Sequence, residues 1–225
     1  MLLVFDVDGT LAPYGKPISR NTAEFLVDAE RAGHHICIAS GKDLYYLKAF
    51  SRGIGLKKPL LIGENGAVFQ LFGNAVSFVM PTPSEIMDLQ HQVEFLFPSS
   101  MLQPNHVNLT ILQQAGDTFD QIERFTTSES HKYPSLQLFI HEDAIEFVPR
   151  NVSKASALNL LKSSLQLSND ATICVGDGEN DACLISECSH MIIVGNGLCD
   201  LVPVNTILYR TDTIVEAIEQ IKKIL

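Results

Sequence analysis

Two aspartates one residue apart, Asp6 and Asp8, close the apolar run Leu2-Leu3-Val4-Phe5 and are followed at once by Gly9 and Thr10. Three further polar segments fall where predicted strands end or helices begin: Ser40-Gly41-Lys42, Lys154, and GDGEND over 176–181. A carboxylate can attack a phosphoryl group and form an aspartyl phosphate, but a negative nucleophile must then approach a negative substrate. A divalent cation and a lysine remove that obstacle. Magnesium takes oxygen ligands, keeps waters, and binds through a few carboxylates plus substrate phosphate. Asp6, Asp177 and Asp181 supply such carboxylates, and the lack of clustered histidines argues for Mg2+ over zinc. Asp8, two residues beyond Asp6, can project to the same side, protonate a leaving alkoxide and then deprotonate an attacking water. The Ser40 hydroxyl and Gly41 amide can donate to phosphate oxygens, while Lys154 balances charge at a helix start, where anions already sit favourably.

The elements that must hold these groups alternate. Short β-branched runs at 2–5, 35–39, 60–62, 172–175 and 191–194 predict strands, and helical apolar spacing appears at 21–31, 154–165 and 213–224. This is the pattern of a parallel, doubly wound α/β sheet with crossover helices. In such sheets ligands gather at the carboxyl ends of strands, where Asp6 and Asp177 fall.

The middle of the chain breaks the alternation. ENGAVFQLFGNAVSFVM reads as a hairpin turning at Gly73-Asn74, and PTPS at 81–84 reads as a linker. A helix to about Leu96 follows, then strand-like runs at 106–112, 136–140 and 144–148, with a helix near 118–126. The last two runs, flanking Glu142-Asp143, predict an antiparallel pair. The expectation is a small α+β unit over 82–149 inserted into a core of 1–81 and 150–225. Spacing agrees. Only 34 residues lead from Asp6 to Ser40, enough for one loop, helix and strand, whereas 114 lead from Ser40 to Lys154.

Composition narrows the partners. The chain has 225 residues and a formal net charge of −10, which argues against a binder of nucleic-acid phosphates. No run reaches the roughly 18 apolar residues of a membrane span, and Asp6 interrupts what would be a signal-peptide core. The five cysteines, Cys37, Cys174, Cys183, Cys188 and Cys199, form no CxxC pair and fit reduced thiols in the cytoplasm. The expected partner is a small phosphorylated metabolite, with neither nucleic acid nor membrane involved.

DVDGT, the SG of IASGKD, the SK of NVSKASAL and GDGEND resemble, in order, the four motifs of the haloacid dehalogenase superfamily of phosphatases. GENGA at 63–67 and the insertion after it resemble the branch with a C2-type cap, which includes phosphoglycolate phosphatases, sucrose phosphatase, Cof-type sugar phosphatases and phosphomannomutase. The resemblance implies Asp6 as nucleophile and metal ligand, and Asp8 as general acid/base with its backbone carbonyl on the metal. It further implies Ser40 and Lys154 on phosphate, Asp177 and Asp181 at the metal, and Asn180 positioning the loop or the phosphate. The chain departs from many relatives at Lys42, where they carry Arg; a lysine cannot make a planar two-pronged contact. Asp43 is shared with phosphomannomutase, but no Arg-rich segment in the insertion would grip a second phosphate. The leading expectation is a magnesium-dependent phosphatase of 2-phosphoglycolate or a sugar phosphate. The alternatives are a phosphomutase and a non-catalytic, receiver-like phosphoacceptor. Calcium-loop readings fail, because Pro17 stands where a loop begun at Asp6 needs Glu, and Ala182 and Cys188 where one begun at Asp177 needs Gly and Glu. His106, Asn108 and His141 fall in the insertion and are expected to be structural.

Overall fold

The computed structural model of the chain describes residues 1–72, 77–113, 118–141, 144–197 and 205–225. The hairpin turn read at Gly73-Asn74, the turn at Glu142-Asp143 and Cys199 lie outside the described residues. In chain order the elements are β1 (Leu2–Phe5), α1 (Arg20–Arg31), β2 (His35–Ala39), α2 (Leu44–Ile54), β3 (Leu60–Gly63), β4 (Val68–Gln70) and β5 (Ser77–Val79). Next come α3 (Ser84–Leu96), β6 (Met101–Leu102), β7 (Leu109–Leu112), α4 (Thr118–Glu129), β8 (Leu136–Ile140) and β9 (Ala144–Pro149). The chain closes with α5 (Lys154–Leu165), β10 (Thr172–Gly176), β11 (His190–Val194), β12 (Ile207–Thr211) and α6 (Ile214–Ile224). It divides into two compact units, Met1–Phe78 with Ser153–Leu225, and Val79–Val152.

The first unit is built on a sheet of order β12-β11-β10-β1-β2-β3-β4-β5, parallel from β12 to β3 and antiparallel at β3/β4. The α/β fold class read from the sequence is therefore the one observed. Strands β1, β2, β3 and β10 are buried along their whole length apart from His35, which is why they read as continuous apolar runs rather than alternating ones. One set of alternate residues, including Leu2, Val4, Cys37, Ile62 and Cys174, packs with Ala157, Leu158 and Leu161 of α5. Helices α1, α2 and α6 pack against β2, β3 and β11/β12 respectively. Cys37, Cys174 and Cys188 are buried free thiols and Cys183 is half-buried. No helix among the described residues is long and apolar enough to cross a membrane.

Three strands matter for chemistry. β1 lies between β2 and β10, so Asp6, Ser40 and Asp177 leave neighbouring strands at one sheet edge, where the chain's winding direction reverses.

The second unit is an antiparallel sheet of order β6-β7-β9-β8. Ile86, Leu89 and Val93 of α3 and Ile122 of α4 pack with Leu109, Ile111, Ile145 and Phe147. The intervening Thr110 and Glu146 belong to the opposite sheet face by strand alternation, and Asn105 Nδ2 donates to Thr110 Oγ1 at 2.7 Å. His141 Nε2 lies 3.5 Å from a Glu146 carboxylate oxygen.

Candidate active site

Helix capping fixes two of the site segments. Ser153 caps α5 by accepting from Ser156 N–H, while Ser156 Oγ accepts from the Ser153 N–H, closing a reciprocal box. That stop places Lys154 at the first helical position. A cation there opposes the helix dipole, and two carboxylates offset it. Lys154 Nζ donates to Asp6 Oδ1 at 2.6 Å and to Asp181 Oδ1 at 2.7 Å, with all three side chains at least nine-tenths buried. The second cap is Asp43, whose Oδ1 accepts from Tyr45 N–H and Tyr46 N–H and starts α2, leaving Ser40 free of capping duty.

Asp6, Asp177 and Asp181 each present an oxygen within a cluster whose ligand atoms all lie within 4.8 Å of one another. Their roles in the structure differ. Asp177 Oδ1 accepts from the Thr10 hydroxyl at 2.9 Å and Oδ2 from the Tyr14 hydroxyl at 3.3 Å. Asp181 Oδ2 accepts from the N–H groups of Asp177 and Gly178, both at 3.1 Å. With Lys154 on its other oxygen, Asp181 holds both the lysine and the turn that carries Asp177. Gly9, at φ 83, gives Asp177 room: a Cβ there would overlap the Asp177 carboxylate.

Charge follows from this crowding. Burial pushes the Asp6 carboxyl well above its ordinary pKa; Lys154 opposes this, and Asp181 and Asp177 reinforce it. Asp177 is raised by burial and by Asp181 against its hydroxyl donors. Burial works against the Lys154 ammonium, but Asp181 and Asp6 outweigh it and hold the lysine charged. An all-oxygen cluster of crowded carboxylates fits a hard divalent cation such as Mg2+, which would relieve that repulsion.

Asp8 lies beside Lys42, with Nζ to Oδ2 at 3.7 Å. The residue that departs from the motif thus faces the expected acid/base. Ser40 Oγ accepts from Lys42 N–H at 3.2 Å, which leaves its own O–H to donate elsewhere. Gly41 adjoins it in the same turn.

The turn after β3 ties these pieces together. Glu64, Asn65 and Gly66 all take positive φ, at 51, 54 and 106 degrees. Two non-glycine residues in that region carry about 1–3 kcal/mol of strain each, which the surroundings must impose. Glu64 N–H donates to Lys42 O at 2.9 Å, and Asn65 N–H to Ser40 O at 3.1 Å. A Cβ at Gly66 would overlap the Ser153 carbonyl, so this turn also abuts the start of α5. Asn180 Nδ2 donates to Asn65 Oδ1 at 2.9 Å, placing Asn180 as a brace for the GDGEND loop.

The sequence-predicted residues Asp6, Lys154, Asp177 and Asp181 are in direct contact or in one cluster, and Asn180 is joined to them through the Asn65 turn. Sequence reasoning missed Tyr14, for which no motif exists, and gave no role to Thr10, whose place in DVDGT was the available signal. In the second unit Thr82 Oγ1 donates to the backbone carbonyl of His106, and Asn108 is buried.

The chain matches the profile of the haloacid dehalogenase-like hydrolases over residues 3–97 and 85–218. It is 25% identical to "Putative phosphatase YkrA" of Bacillus subtilis (strain 168), covering 89% of this chain and 88% of that one. It is 23% identical to a phosphoglycolate phosphatase of Methanothermobacter thermautotrophicus (strain Delta H), covering 86% and 85%. A haloacid dehalogenase-like hydrolase structure from Bacteroides thetaiotaomicron superposes with a TM-score of 0.79 at 20% identity over 98% of each chain.

Proposed function

We propose, since the chain belongs to the haloacid dehalogenase-like hydrolase family and is a phosphatase of the C2-capped branch, that it hydrolyses a small phosphomonoester in the cytoplasm by way of an aspartyl phosphate on Asp6. The observation that carries this reading is the buried Lys154 ammonium held between Asp6 and Asp181, with Asp177 in the same cluster. A lysine so placed orients one oxygen of Asp6 and leaves the other to attack.

The Asp6 oxygen forms a bond to phosphorus as the ester P–O bond breaks, and the electron pair leaves on the alkoxide, which takes a proton from Asp8. Asp8, now a carboxylate, removes a proton from water; the water oxygen bonds to phosphorus and the P–O bond to Asp6 breaks, giving inorganic phosphate. Ser40 O–H, Gly41 N–H and Lys154 donate to the phosphoryl oxygens, and Asn180 keeps the loop of Asp177 in place through Asn65. Asp6, Asp177 and Asp181, with the Asp8 carbonyl, would hold Mg2+, which supplies positive charge against the phosphoryl oxygens. Substrates of the size of 2-phosphoglycolate or a hexose phosphate fit this reading.

The test is phosphate release from purified protein across 2-phosphoglycolate, hexose phosphates and a phosphopeptide, with Mg2+ and with chelator. The expected result is release from one or more of the metabolites that chelation abolishes and Mg2+ restores. Release that survives chelation removes the metal from the mechanism, and isomerised substrate without free phosphate replaces hydrolysis with the mutase reaction.

A further inference from the structure

At the opposite edge of the first unit's sheet, a cavity of about 600 Å³ opens beside the starts of β2 and β3. Glu30, His34, His35, Lys57, Lys58 and Phe72 line it. Ser40 leaves the far end of β2, five residues from His35, so at about 3.3 Å per residue the cavity is roughly 16 Å from the phosphatase chemistry. Nothing in the proposed mechanism uses it.

Its chemistry is unusual for a chain of net charge −10. Both oxygens of Glu30 accept backbone N–H groups, from Lys57 and Lys58, each at 2.8 Å. The single acid of the lining therefore fixes the loop, and the two lysine side chains are exposed with no carboxylate partner among the described residues. Facing them are two rings. Phe72 and His35 are tilted at 53° with centroids 5.9 Å apart. Phe72 takes φ 41, costly for a bulky side chain, and its ring also packs against the core, which locks it in place. His34 and His35 are held below the ordinary imidazole pKa by burial and then by the N-terminal ammonium, so near neutral pH they are uncharged rings rather than cations.

Size discriminates between ligands. About 600 Å³ lies within the roughly 300–1,000 Å³ typical of sites for drug-sized ligands, far more than a bare phosphate fills. We propose that this cavity is a second, non-catalytic site for a nucleotide-sized anion, which lays a flat ring against Phe72 and His35 and sets its phosphate on Lys57 and Lys58. Stacking on aromatic side chains tolerates any base, and lysines bind phosphate as point charges, so the site selects a class rather than one nucleotide.

The experiment is calorimetric titration of the full-length protein with adenosine 5′-monophosphate, adenosine and inorganic phosphate, repeated with K57Q/K58Q and with Phe72→Leu. Turnover of nitrophenyl phosphate in the same preparations reports the catalytic site and the fold. The expected result is saturable binding of the monophosphate, tighter than either half alone, weakened at least tenfold in K57Q/K58Q and several-fold in Phe72→Leu, with turnover within about twofold of the parent. Monophosphate binding unchanged in both variants would assign it to the catalytic site and overturn the proposal. So would absence of saturation by about 1 mM, the affinity of about 4 kcal/mol expected of even a weak site. Phosphate alone binding as tightly as the monophosphate would overturn the ring contact.

Discussion

Lys154→Met keeps the length of the side chain and removes its charge, which strands two carboxylates that the lysine now satisfies at 2.6 and 2.7 Å. Removing one partner of a buried ion pair costs about 3–5 kcal/mol, because the remaining charge has neither water nor counter-ion. Against a typical unfolding free energy of about 5–15 kcal/mol the variant still folds, with a urea midpoint lower by about 2 M if the loss is about 4 kcal/mol and the slope about 2 kcal/mol/M. The charge argument makes two further demands. The deficit relative to the parent should grow as pH rises to 7, because without Lys154 nothing opposes the upward push that burial gives the Asp6 carboxyl. Asp181→Asn in the Lys154→Met background should recover about 0.5–3 kcal/mol, since the two changes share one network. Urea unfolding of metal-free protein at several pH values measures all three. A loss under about 1 kcal/mol at pH 7, or a deficit independent of pH, would refute the claim that Lys154 is there to neutralise Asp6 and Asp181.

Asp6→Asn should abolish phosphate release while leaving the unfolding free energy within about 1 kcal/mol of the parent, because an amide oxygen still accepts from Lys154, which keeps Asp181 as its counter-ion; turnover by the folded variant would end the covalent route. Asp8→Asn should lose about 10²–10⁴-fold on an alkyl phosphate and much less on nitrophenyl phosphate, whose leaving group needs no proton, and equal losses on both would remove Asp8 from that role. Gly66→Ala should destabilise by about 2 kcal/mol or more and lower kcat, since a Cβ at φ 106 overlaps the Ser153 carbonyl and displaces the start of α5; an unperturbed melting curve contradicts the packing. Because the folded pKa of Asp177 is raised, its contribution to stability is intact below the unfolded value near 4 and is lost as pH rises through the folded value. Metal-free Asp177→Asn should therefore gain stability over the parent at pH 7 but not at pH 4, and Mg2+ should raise the parent's Tm more at pH 7 than at pH 5. A Tm increment that is the same at both pH values argues against the cluster as the cation site.

What the sequence revealed and what it hid divide along one physical line. Parallel strands buried on both faces are legible as apolar runs, and groups that leave them at the carboxyl edge are legible as polar punctuation, so β1, β2 and β10 with Asp6, Ser40 and Asp177 could be read directly. Helix α2 was not read, because Leu44 and Leu47 are its only fully buried apolar positions and its aromatic start obscures the period; the signal was Asp43, a capping acid that looked like a motif residue. Strand β12 was missed for a related reason: at the sheet's edge it is at most half-buried, and its short apolar start Ile207-Leu208-Tyr209 gives way at once to Arg210 and Thr211. Asp181 shows a subtler gap. Its place in GDGEND identifies an acid at the site, but not that one oxygen is spent on Lys154 and the other on two backbone amides, since that depends on partners brought in by folding. The Asn65 turn is the same case in backbone form. Nothing local forces Glu64 and Asn65 to positive φ; the strain is sustained by Lys42 O and Ser40 O on one side and by the crowding of Gly66 against Ser153 on the other. A sequence can thus announce candidate groups for chemistry as polar punctuation after buried strands, while the groups that hold them in place are ordinary residues made special only by where the chain returns.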